Sequence, residues 1–128
     1  MGNGNIIKIF MKIVSCINVN TGITIADRLI IADNFIHRMI GLLGKKELKE
    51  REGIILKPCN SIHTFFMKFP IDVIFLDKDN IVINLIENMI PGKISPIIWK
   101  SKSILELPIL TIKRTNTLLG HRLEMISL

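Results

Sequence analysis

The chain lacks most of the features that announce a function outright. It has no Tyr, one Trp and two Cys in 128 residues. Cys16 and Cys59 cannot build a disulfide framework; one bridge is allowed, and a reduced cytoplasmic protein fits as well. No apolar run reaches the about 18 residues that a membrane-spanning helix needs. The opening "MGNGNIIKIFMKIVSCINVN" is interrupted by Lys8 and Lys12 and has no small-x-small cleavage site, so it does not read as a signal peptide. There is no Walker loop, G-x-G-x-x-G, G-x-S-x-G or H-E-x-x-H, which removes the simplest routes to nucleotide, serine-hydrolase and zinc-protease chemistry. No four consecutive basic residues occur either. The net charge of +6 is spread along the chain, which argues against nucleic acid and leaves an anionic small molecule, an acidic partner or a membrane surface.

What the chain does have is isoleucine. Apolar residues make up 48% of it, and 27 of them are Ile. A side chain branched at Cβ favours strands, so a β-rich fold is expected. The length suits one domain with one core. Residues 1–10 read as a flexible extension and 11–128 as a single domain, with Met11 an alternative start.

The periodicity fills in the elements. "MKIVSCINV" and "ITIAD" flank the turn signal Asn20-Thr21-Gly22 and read as a hairpin. Across "ADNFIHRMIGLLGKKEL" the period changes. Phe35, Met39 and Leu42, with Ile36, Ile40 and Leu43, form one apolar helical face, Asp33 can cap its start, and Gly44 with two lysines fits its end. "GIILKP" is a short strand. "IDVIFLD" and "IVINLIE" flank "KDN" as the strongest hairpin, because Asp79-Asn80 tolerates positive backbone torsions. "SILELP" and "HRLEMI" are further strands, with a polar, turn-like stretch between them. The expected fold is α+β and β-rich: about seven short strands in a mixed sheet or small barrel, with one packed helix near residues 33–43.

The polar residues of "CNSIHTFFMKFPIDVIFLD" are the candidates for chemistry. Cys59 and His63 share a face in a strand or a helix, which is the start of a cysteine nucleophile and its base. Asn60, Asp72 or Asp77 would have to orient the pair. The plainer reading makes Cys59 a small buried hydrophobe and leaves His63 bonded to the backbone. One Cys, one His and scattered acids are too few for a zinc site, so neither metal nor cofactor is expected. "FFMKFP" reads as a core strand with an edge lysine, or as a pocket wall in which Lys68 meets an anion. Arg38 sits inside the apolar helix, and Asp72 and Glu106 are its natural buried partners.

These stretches also carry a resemblance. "RMIGLLGKKEL", "GIILKPCNSIHTFFMKFPIDVIFLDKDNIV", "SPIIWKSKSILELP", "TIKRTN" and "GHRLE" follow one another as they do in the small prokaryotic proteins of the domain of unknown function 192 family. The chain resembles that family from about Met11 to Ser127. The resemblance implies a compact β-rich domain with a helix carrying Arg38 to Leu43, and no established activity. It departs at Pro108-Ile109-Leu110, where many members have Pro-Ala-Gly, and at Gly120-His121, where many have Gly-Asp.

The leading expectation is a binding or accessory domain, a monomer or weak dimer. Its pocket or groove would lie beside Asn60–Pro70 and take an anionic small molecule or an acidic peptide through Arg38, Asn60, His63, Met67, Lys68 and Trp99. The alternatives are a cysteine-dependent acyl or thiol transferase using Cys59, His63 and Asp72, and a module that binds a protein through an exposed sheet edge.

Overall fold

A computed structural model describes residues 12–32 and 47–128. Among these residues, seven strands and one short helix follow in chain order: β1 (Lys12–Asn18), β2 (Thr24–Ala32), β3 (Glu52–Leu56), β4 (Ile71–Leu76), β5 (Val82–Met89), β6 (Ser103–Leu107), α1 (Thr111–Arg114) and β7 (Leu123–Ser127). All seven strands join one sheet in the order β5-β4-β6-β3-β2-β1-β7. Only β2 and β3 run parallel, so the sheet is mixed. Both hairpins expected from the turn residues form. Asn18 Oδ1 accepts the N–H groups of Asn20 and Thr21 and Gly22 takes φ 73, which closes β1 onto β2. Asp77 Oδ1 accepts the N–H groups of Asp79 and Ile81 and Asn80 takes φ 60, which closes β4 onto β5.

The sheet curls until its two outer strands meet at one end. Val82 N–H donates to His121 O at 2.8 Å and Leu123 N–H to Asn80 O at 3.0 Å, around a bridge between Ile81 and Arg122. Further along, β5 and β7 are not paired with each other. The result is a curled half-barrel, and its curl divides the buried residues into two clusters. The inner one holds Cys16, Leu29, Ile55, Ile74, Leu105, Leu107 and Leu123, with Ile112 of α1 inserted among them. The outer one holds Ile54, Leu56, Val73, Phe75 and Ile104, covered by Ile62 and Met67. Neighbouring residues of β3, β4 and β6 alternate between the clusters, as the two-residue period of a strand requires.

One expectation lies outside the described residues, and one needs correction. The helix expected near 33–43, and Arg38 with it, lies outside the described residues, as does the extension 1–10. The helix that is described, α1, covers Thr111–Arg114, which no expected element includes; only Arg114 belongs to the polar, turn-like stretch "RTNTLLG". The segment Cys59–Pro70 is not a core strand either; it forms loops, with a turn at Thr64–Met67 in which Met67 N–H donates to Thr64 O at 3.2 Å.

Candidate functional site

The outer face of the sheet is roofed by two segments, 57–70 and 90–102. Neither carries a regular element, so side chains and scattered backbone bonds hold them together. Ile62 N–H donates to Ser95 Oγ at 2.9 Å, and Ser95 N–H returns to Ile62 O at 2.8 Å. Fully buried Thr64 is the central clamp. Its hydroxyl donates to Ile90 O at 2.7 Å and accepts Lys93 N–H at 2.9 Å. Its backbone N–H donates to Lys93 O at 2.8 Å, and its carbonyl accepts Gly92 N–H at 3.0 Å. At the far end, Ile98 N–H donates to Asn60 O at 2.9 Å, Cys59 N–H to Lys102 O at 3.1 Å, and Ser101 Oγ to Cys59 O at 2.9 Å.

These bonds leave an open cavity of about 210 Å³ lined by Pro58, Cys59, Asn60, Trp99, Ser101 and Lys102. Three of the sequence candidates, Cys59, Asn60 and Trp99, meet there. Trp99 is 78% exposed, so most of its ring is open to an incoming group. The Cys59 thiol donates to Ser61 O at 3.2 Å. An amide carbonyl takes no proton, so this bond does not generate a thiolate.

The other candidates lie elsewhere. His63 bridges Ile94 and stacks on Phe65, with ring centroids 5.0 Å apart. Met67 packs into the outer core cluster, whereas Lys68 is exposed. Asp72 is buried, and its two carboxylate oxygens accept the backbone N–H groups of Asn88 at 3.0 Å and Ile112 at 2.9 Å. Glu106 is fully buried in β6. Among the described residues, no three or more His, Cys, Asp or Glu side chains group as metal ligands would. Burial in the inner core pushes the Cys16 thiol from its ordinary value of 9.0 to about 12.

Sequence reasoning missed Pro58, Ser101 and Lys102 as lining residues. The signal lay in the pairing of Cys59 with Lys102, 43 residues apart, which no local pattern reveals. It also missed two cavities beside α1. One, of about 510 Å³, is lined by Leu48, Glu50, Pro108, Ile109, Leu110, Thr111 and Arg114. The other, of about 210 Å³, involves Glu47, Leu48, Phe69 and Pro70, and shares Pro108 and Ile109 with the first. The guanidinium of Arg114 is occupied: it donates to Thr24 O at 3.2 Å and Ile25 O at 3.0 Å, and its Nε stands 3.6 Å from Glu50.

Two solved structures share this fold. A protein of unknown function from Novosphingobium aromaticivorans superposes with a TM-score of 0.73 at 22% identity, covering 89% of this chain and 84% of the other. A candidate transcription regulator from Sinorhizobium meliloti superposes with a TM-score of 0.71 at 24% identity, covering 90% and 93%. At these identities the likeness is one of fold. Among curated proteins none matches. The family model DUF192, "Uncharacterized ACR", matches residues 17–125.

Proposed function

The chain belongs to the DUF192 family, and from that premise we propose that it is a binding domain whose pocket at Pro58–Asn60 and Trp99–Lys102 takes the anionic group of a small molecule or an acidic peptide. The observation that carries this reading is the pairing of an exposed indole with a lysine around one concavity that has no carboxylate in its lining. An indole face stacks on planar groups, and an ammonium with a neighbouring hydroxyl suits a carboxylate or a phosphate. Size narrows the ligand. Sites for whole cofactors or drug-sized molecules begin near roughly 300 Å³. A cavity of about 210 Å³ suits one head group, such as a phosphate or an Asp or Glu side chain. The same reading takes the protein as a cytoplasmic monomer or weak dimer. Among the described residues no helix is long and apolar enough to cross a membrane.

The test uses Trp99 as its own reporter, since the chain has no other Trp and no Tyr. Phosphomonoesters, dicarboxylates and Asp/Glu-rich peptides are titrated against Trp99 emission and thermal stability. At least one class is expected to change the emission and raise the melting temperature, and Lys102→Glu is expected to abolish both effects. Silence toward all three classes would overturn the proposal.

A further inference from the structure

The roof that carries the pocket has an outward side that is apolar and cationic at once. Phe66 is 83% exposed, Ile94 69%, Ile97 53% and Trp99 78%. The Thr64–Lys93, Ile62–Ser95 and Asn60–Ile98 hydrogen bonds hold the two segments that carry them side by side. The same segments turn Ile62, Met67 and Ile98 inward onto the sheet, so the exposed side chains point away from it. Phe66 stands at φ 68, a left-handed conformation that bulky residues rarely adopt, and its ring is held out in solvent. Lys68, Lys93, Lys100 and Lys102 are exposed along the same segments. Residues 60–71 and 88–105 contain no Asp or Glu.

We infer that this face docks on the surface of an anionic lipid bilayer, with Phe66, Ile94, Ile97 and Trp99 entering the headgroup–acyl boundary and the lysines reaching the lipid phosphates. The composition selects this partner over two others. Single-stranded nucleic acid is bound by flat aromatic platforms, and the two isoleucines here offer no face on which a base stacks. Protein interfaces are depleted in Lys and favour Arg, whereas every Lys or Arg of segments 57–70 and 90–102 is a Lys. Aromatic rings at headgroup depth, aliphatic side chains below them and lysines whose stems lie along the boundary are what an interfacial site needs. The inference goes beyond the pocket and stands without it: Phe66, Lys68, Lys93 and Ile94 line no part of that cavity.

The full chain is mixed with phosphatidylcholine vesicles with and without phosphatidylglycerol, and followed by sedimentation and by Trp99 emission. Sedimentation with the phosphatidylglycerol vesicles alone is expected, with a blue-shifted emission that brominated acyl chains quench and that high salt reverses. Lys68→Gln/Lys93→Gln should weaken partitioning by about thirty-fold, and Phe66→Ser/Ile94→Ser should remove the blue shift. Both pairs are exposed, and an unchanged urea midpoint confirms that each variant folds. No sedimentation with phosphatidylglycerol vesicles, equal sedimentation with both kinds, or sedimentation without a change at Trp99 would each overturn the inference. Soluble phosphomonoesters separate the two readings: a response that Lys102→Glu abolishes and Lys68→Gln/Lys93→Gln leaves intact belongs to the pocket alone.

Discussion

Asp72 of β4 accepts the backbone N–H of Ile112 at 2.9 Å, across 40 residues of chain. The helix it meets, α1, starts after Leu110 at φ 72 and has no side-chain cap of its own. A carboxylate from the sheet therefore supplies the acceptor that a neighbouring Ser or Asp ordinarily gives. Its other oxygen accepts Asn88 N–H at 3.0 Å, where β5 is kinked by Asn88 at φ 53. One buried side chain thus ties the β4–β5 hairpin to the helix that fills the inner core. Hydrogen bonds to charged groups contribute about 1.5–3 kcal/mol each, and a buried donor left unmet costs a comparable amount. Asp72→Ala is expected to destabilise the protein by about 3–5 kcal/mol, read as a lower urea midpoint at an unchanged m-value. Asp72→Asn keeps the volume and one acceptor but turns an amide N–H₂ toward a donor, so its midpoint should fall between the two.

Gly53 is a packing requirement of a different kind. It lies on β3, opposite Leu29 of β2. A Cβ at this position would stand 2.7 Å from the Glu106 carbonyl oxygen and 2.8 Å from Leu107 Cδ2. The carbonyl belongs to β6, which is pinned on its other side by β4, so it cannot retreat without disturbing a second ladder. Gly53→Ala should cost about 1–3 kcal/mol. A melting temperature lowered by roughly 5–10 °C is the expected reading.

The contrast between these positions shows which parts of the molecule were legible in the sequence. The β4–β5 hairpin was legible because its turn chemistry is local, with Asp77 and Asn80 within four residues of each other. The full length of β2 was not. Its burial follows no strict alternation, and its register with β1 shifts between Val14 and Ile17, so the pattern fades after "ITIAD" although the strand continues to Ala32. α1 has four residues, too few to show a helical period, and its acceptor is Asp72. The roof was misread as a strand because alternation in "FFMKFP" imitates one; its true partners, Lys93 and Ser95, lie about thirty residues on. Trp99 is a candidate from its flat ring in a loop-rich stretch and Asn60 from its polarity, and the fold places both beside Cys59. Lys102 was not legible, since only the folded chain brings it to Cys59.

Thr64 tests whether the roof opens independently of the sheet. Valine matches its shape but removes the hydroxyl that serves both Ile90 O and Lys93 N–H. Two part-buried backbone groups then lose this partner, at up to about 1 kcal/mol each. Thr64→Val should raise amide exchange at Lys93 and Ser95 while amides of β4 and β6 keep their protection. Equal loss of protection throughout would mean that roof and sheet unfold as one unit.

Cys16 sets a pH limit. It is fully buried in the inner core, and burial raises its thiol from 9.0 to about 12. The folded state holds the proton more tightly than the unfolded chain, so this group's contribution is complete below pH 9. Above pH 9 the unfolded chain releases the proton first, and stability falls by roughly 1.4 kcal/mol per pH unit until the folded value is reached. Lysines titrate in the same range, so the measurement is a difference. Urea midpoints of the protein and of Cys16→Val, which fills the site without a titrating group, are compared from pH 7 to pH 11. The gap between them should hold constant to pH 9 and then shift steadily against the protein that keeps the thiol. A gap that stays flat to pH 11 would mean that the Cys16 thiol ionises as readily in the fold as outside it.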